Sequence, residues 1–185
     1  MIHISKIFIL LIGLNYFVAI SVYSADQSVT LIPVQSNYRK TINGNITKVI
    51  SGDKIELTDK HGKKHTISLD IIDAPELDQP YGKESKKFVE DFIPKNQCDV
   101  IVGYSKRDKS GNILGNILVD LCDSCNCYRL SLSINILGAG FARVHPDYRD
   151  NKNYIFLEKN AKSYGFGMWE NLRSTKIIPG AEVSL

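Results

Sequence analysis

Three strand patterns, one helix, two more strand patterns and two closing helices follow one another along this chain, and that order leaves few folds open. Ile42, Ile46, Val49 and Ile50 stand among polar residues in the first strand, and Lys54 to Leu57 is a short second one. Asp59-Lys60-His61-Gly62 is a turn signal. From Thr66 to Ile72, Ile67, Leu69 and Ile71 alternate with Ser68 and Asp70, the pattern of a half-buried strand. Pro80 to Phe92 reads as a helix, with Phe88 and Phe92 four apart and Pro94 beyond its end. Cys98 to Tyr104 and Ile113 to Leu121 are two further strands, joined by the polar turn at 106–111. Leu130, Ile134 and Leu137 share a helical face that ends at Gly138 and Gly140. Tyr154, Leu157, Ala161 and Tyr164 mark a last helix, stopped by Gly165 and Gly167. Trp169 is expected to pack back on the core, and 170–185 reads as loop. Five strands and three helices in this order suit a small closed barrel, an α+β fold that is mainly β.

Residues 1–24 stand apart. Lys6 precedes an apolar run from Ile7 to Ile20, and Val22-Tyr23-Ser24 offers small residues before a cleavage point at Ala25. The run is shorter than the ~20 residues a membrane span needs, so it reads as a signal peptide and the chain as secreted or periplasmic, without stable membrane insertion once cleaved. Residues 25–40 form an extended lead-in, 41–170 the folded domain and 171–185 a tail. The 185 residues carry a net charge of only +3, which does not by itself indicate nucleic acid. There is no glycine-rich strand-turn-helix of the nucleotide-binding kind.

Two segments carry acids at strand ends, Ser51-Gly52-Asp53-Lys54 and Asp73-Ala74-Pro75-Glu76. Pro75 removes a backbone donor and keeps Ala74 out of helical geometry. Such a turn can aim Asp73, the Ala74 carbonyl and Glu76 into one space, an oxygen set that suits a hard cation such as Ca²⁺. A further carboxylate outside the ligand set could orient a water as a base. Acids are also ordinary in turns, and on spacing alone the ordinary reading is the better one.

The same residues carry a family resemblance. Ile50-Ser51-Gly52-Asp53-Lys54-Ile55-Glu56-Leu57 resembles the V-x-D-G-D-T-h-x-L stretch of the staphylococcal (thermonuclease-like) nuclease family, and Ile71-Ile72-Asp73-Ala74-Pro75-Glu76 resembles its G-I-D-A-P-E. Gln79 to Ser85 resembles Q-x-Y-G-x-E-A, Asp108 to Gly115 resembles D-x-Y-G-R-x-L-G, and Gly140 to Val144 resembles G-L-A-x-V. Glu158 to Ala161 followed by Gly167-Met168-Trp169 resembles E-x-x-A…G-x-W. The matches run in order from about Ile42 to Trp169.

The resemblance implies a five-stranded OB-fold barrel with three helices and Ca²⁺-dependent hydrolysis of DNA and RNA phosphodiesters. It also implies roles: Asp53 and Asp73 as metal ligands with the Ala74 backbone carbonyl, Glu76 as the catalytic base, and Lys109 and Tyr148 near the substrate. Two family arginines that hold the phosphate are replaced, by Ser68 and Asn112. Losing one such donor costs on the order of 10²–10³ in rate, so weak or impaired activity is expected. A catalytically inactive OB module binding nucleic acid or a protein partner is the alternative. Lys54 replaces the threonine of D-G-D-T and, as the strand neighbour of Asp53, is expected to face the other way. Arg107 and Arg143 occupy no family arginine position and read as surface charges.

The four cysteines, Cys98, Cys122, Cys125 and Cys127, suit disulfides in an exported chain better than zinc. Cys98 with Cys125 or Cys127 is preferred, with all three connectivities open. His61, His65 and His145 are scattered and read as surface residues. A monomer is expected.

Overall fold

The computed structural model describes residues 38–93, 100–122 and 127–173. The 1–24 segment, Cys98 and Cys125 lie outside the described residues, as do the side chains of Cys122 and Cys127. The disulfide and signal-peptide expectations therefore lie there too. Among the described residues no helix is long and apolar enough to cross a membrane.

Three antiparallel strands come first: β1 (Lys40–Val49), β2 (Lys54–Asp59) and β3 (Lys64–Leu69). A two-residue strand β4 (Ile72–Asp73) leads to helix α1 (Gly82–Phe92). Strands β5 (Val100–Arg107), β6 (Ile113–Cys122) and β7 (Cys127–Ser131) form a second antiparallel run. Helix α2 (Leu132–Gly138), the two-residue strand β8 (Arg143–Val144), helix α3 (Lys152–Tyr164) and a short helix α4 (Glu170–Arg173) complete the order. β1 pairs with β5, and β3 pairs in parallel with β6. These two pairings close β3-β2-β1-β5-β6 into a ring. The result is a five-stranded closed barrel with three main helices, the OB-fold architecture, mainly β within the α+β class.

The closure follows from the period-2 pattern. Ile55 and Leu57 of β2, Ile67 of β3, Val102 of β5 and Ile113 and Ile117 of β6 are fully buried, while Glu56 and Leu114, in the opposite phase, are only half-buried. Apolar burial of this kind contributes roughly 1.5–3 kcal/mol per large side chain. α1 lays Val89 on the core, and α2 lays Leu132, Ile136 and Leu137.

The order expected from sequence is observed, with the short strands β4 and β8 added, Lys106 and Arg107 drawn from the expected turn into β5, and four further differences. Leu130 belongs to β7, because the chain pairs with β6 before Ser131 caps α2 by accepting from the Ile134 amide. Glu170–Arg173 is helical where a loop was expected. His65 is buried, since it stands in phase with Ile67 and Leu69 on β3. The fourth is Lys54, which lies on the cleft described next. Trp169 packs back as expected, 8% exposed.

Candidate active site

The two acidic turns meet because their backbones approach closely. Gly52 lies against α1 and the Ala74 turn: a Cβ on it would stand 1.9 Å from the Ser85 Oγ and 2.8 Å from the Ala74 Cβ. Only glycine permits that contact. Ser85 is itself fixed, its hydroxyl donating to the Phe141 carbonyl at 2.9 Å. The Leu69 amide donates to the Asp53 carbonyl at 2.8 Å, which ties the first turn to the end of β3. Asp73 is held from the other side: β4 pairs with β8, Ile72 opposite Val144 and Asp73 opposite Arg143.

Between these elements opens a cleft of about 410 Å³, and Asp53, Asp73, Ser68 and Tyr148 all line it. Asp53 is half-buried and accepts from the Ser51 hydroxyl at 2.7 Å. Asp73 is exposed. Glu76 is exposed on the same loop as Asp73, outside the cleft lining, with its amide donating to Gln79 Oε1 at 3.0 Å. Ala74 is half-buried. Lys109 is exposed on the β5–β6 turn and does not line the cleft. Asn112 turns to Asp108 instead, donating from Nδ2 at 2.8 Å and from its amide at 2.8 Å. Arg107 donates to the Gly111 carbonyl at 2.7 Å, and the Arg143 guanidinium lies 5.2 Å from the Trp169 ring. Neither arginine lines the cleft.

Several cleft residues were not singled out from sequence, Tyr38, Asp70 and Lys106 among them. Asp70 stands at the centre of a hydrogen-bonded triad, accepting from the Tyr38 hydroxyl at 2.9 Å and from the Tyr148 hydroxyl at 2.7 Å. Burial pushes the Asp70 carboxyl above its usual range, although both tyrosine bonds pull the other way. Burial and the neighbouring Asp70 raise the Tyr148 phenol, so Tyr148 acts as a hydrogen-bond donor here. Its polar phase with Ser68 on the alternating strand was the available signal for Asp70. Lys106 also lines the cleft, and so does Lys54. The expectation that Lys54 faces away fails because Asp53 precedes β2 and lies in the turn, so strand alternation does not relate the two.

The oxygen-only donors Asp53 and Asp73 fit a hard cation, whose remaining positions would be filled by carbonyl and water oxygens. Among the described residues these acids do not join a third His, Cys, Asp or Glu side chain in a ready-made metal cluster.

The sequence model of the staphylococcal nuclease homologue family matches residues 66–171. The chain belongs to the staphylococcal nuclease family. It is 31% identical over 130 residues to an uncharacterized endonuclease of Escherichia coli, covering 70% of this chain and 78% of that protein. Endonuclease YncB of Bacillus subtilis is 29% identical over 159 residues, 80% of this chain and 71% of its own length. A thermonuclease of Staphylococcus hyicus is 23% identical over 135 residues, 68% of this chain and 75% of its own. The family match spans the third strand through the last helices, so it includes Asp73, Glu76 and the β5–β6 turn, while Asp53 precedes it.

Proposed function

We propose that this chain is an exported nuclease that hydrolyses the phosphodiester bonds of DNA or RNA with Ca²⁺. The observation that carries the reading is the convergence of Asp53 and Asp73, from two separate turns, on one cleft of a nuclease-family barrel. The names of the relatives support it, and the signal-like segment 1–24 supports export. In this reading Asp53 and Asp73 hold Ca²⁺ with the Ala74 carbonyl. Bound there, Ca²⁺ would supply positive charge to balance that of the phosphate and would favour loss of a proton from the attacking water. Glu76, three residues beyond Asp73, accepts a proton from the attacking water as its oxygen bonds to phosphorus, the ester P–O bond breaks and the leaving oxygen takes up a proton from solvent. Tyr148, its hydroxyl donating to Asp70, lines the cleft in which the substrate would lie.

Digestion of single-stranded DNA by the purified protein, with Ca²⁺ and with chelator, tests this. Cleavage that requires Ca²⁺ and falls by about 10²–10⁴-fold in Glu76→Gln is the expected outcome. No cleavage by the wild type under either condition overturns it.

One observation favours a second reading, a non-catalytic OB module that binds nucleic acid or a protein. Ser68 is uncharged, Asn112 is engaged with Asp108, and Arg107 and Arg143 lie outside the cleft. Salt-sensitive DNA binding without cleavage would support the module.

A further inference from the structure

The strand register sets two lysines beside the serine that stands where a family arginine would. Lys54 of β2 is directly opposite Ser68 of β3; Ser68 is opposite Leu114 of β6; Leu114 is opposite Lys106 of β5. The four residues form one lateral row across the barrel wall, and all four line the cleft that holds Asp53 and Asp73. Directly opposed residues share a face of the sheet, so the two ammonium groups flank Ser68 and Leu114 on the cleft side. A bulge makes the row possible on β5: the register slips between Tyr104 and Lys106, and Ser105 and Lys106 both line the cleft although they are consecutive.

We propose that Lys54 and Lys106 form the cationic clamp of this cleft and hold the substrate phosphodiester beside Asp53 and Asp73, in place of the charge missing at Ser68 and Asn112. This rests on reading the cleft as a phosphodiester site. Neither lysine enters an ion pair among the described residues. Outside the cleft lining, Asp108 is within electrostatic reach of Lys54; its carboxyl is held low first by the Asn112 side chain and, to a smaller extent, by Lys54. Both Asp108 oxygens already accept hydrogen bonds, Oδ1 from the Ser110 and Asn112 amides and Oδ2 from Asn112 Nδ2. Asn112 thus occupies the acid that would otherwise draw Lys54 away. The cleft needs these cations. Asp53, Asp70, Asp73 and Asp147 all line it, and a wall of carboxylates repels a phosphate unless positive charge is fixed beside it. A lysine also differs from an arginine in kind: it contacts phosphate as a point charge rather than as a bidentate fork. Two lysines on opposite sides restore the charge without that fixed geometry.

The test compares the wild type with Lys54→Met, Lys106→Met, Lys54→Arg and the double variant Lys54→Met/Ser68→Arg. All are checked for an unchanged melting temperature. Cleavage of labelled single-stranded DNA with Ca²⁺ gives kcat and KM, and anisotropy in chelator across a salt series gives binding. Lys54→Met is expected to lose about 10²-fold in kcat/KM, mostly in kcat, because the clamp acts on charge that grows in the transition state. Lys106→Met, at the more exposed position, is expected to lose roughly tenfold. Lys54→Arg should keep most activity, and Ser68→Arg, made also in the wild type, should raise Lys54→Met by more than it raises the wild type, a coupling that a merely structural role for Lys54 would not produce. Each lysine removed should lower the salt slope of DNA binding by about 0.7. Cleavage by the wild type with both Met variants within twofold of it overturns the clamp while leaving the nuclease reading intact. If the wild type does not cleave, the nuclease reading fails. The salt series then decides the clamp alone: slopes that fall support it, and unchanged slopes overturn it.

Discussion

Asp59 shows how much one carboxylate can organise. It closes β2 and accepts from His65 Nε2 at 2.8 Å and from the His61 and Lys63 amides at 2.9 and 3.0 Å. The His65 bond is the largest cause holding its carboxyl down, at about 2 against an ordinary 3.8, with the backbone donors adding to it and desolvation opposing. A folded value below the unfolded one stabilises the ionised form, so the contribution is complete above about pH 4 and drains away as the pH falls towards 2. Asp59→Asn is therefore expected to melt below the wild type at neutral pH, with the gap shrinking between about pH 4 and pH 2. Thermal melts across that range check it, and a gap of constant size would show that the charge of Asp59 is not its source. None of this was legible in the turn signal at 59–62, because it depends on His65 pointing inward. The clue lay two residues upstream of Ile67, in phase with it.

At the scale of elements, the fixing of Asp73 reaches back to α3. Glu158 is only 6% exposed; its Oε2 accepts from the Val144 amide at 3.1 Å, and its Oε1 accepts from Lys162, which also lies 4.4 Å from the Trp169 ring. Val144 belongs to β8, whose ladder with β4 carries Asp73. Removing the acid leaves a buried amide without an acceptor, a cost of about 1–3 kcal/mol. Glu158→Ala is expected to lower stability by that amount in chemical denaturation and to weaken Ca²⁺ binding as well, by loosening the strand behind Asp73. A calcium titration of the folded variant that matched the wild type would separate the two effects. The elements themselves were largely readable. The alternation of β3 and the periodic faces of α1 and α3 are observed, except that Tyr164, expected on the face of the last helix, is 54% exposed. What could not be read was pairing. Leu130 fits a helical face as well as a strand until β6 is known to lie beside it. Lys54 seemed to face away only because strand alternation was extended back to Asp53, one residue before the strand begins. Lys106 depends on a bulge that leaves no mark in composition.

Across the whole molecule, the cleft depends on one seam. β3 and β6 are joined in parallel, Ile67 opposite Ile113 and Leu69 opposite Gly115, and that pairing alone turns an open sheet into a barrel. Ile113 is fully buried at the seam, so Ile113→Ala should cost about 2–5 kcal/mol. Because Ser68 and Leu114 are neighbours across the same seam, the loss of DNA binding in denaturant should coincide with the loss of strand signal by circular dichroism, in the variant as in the wild type. Binding that vanished well before the strand signal would mean that the cleft opens without the barrel.

The seam has a bearing on when such a protein can act. Its acids and lysines come from turns and strands that no single peptide segment contains, and the pairing that gathers them spans distant parts of the chain. A growing polypeptide carries every reactive group yet possesses no cleft. Harm to nucleic acid in the cell that makes it would be withheld by topology until the last wall of the barrel falls into place.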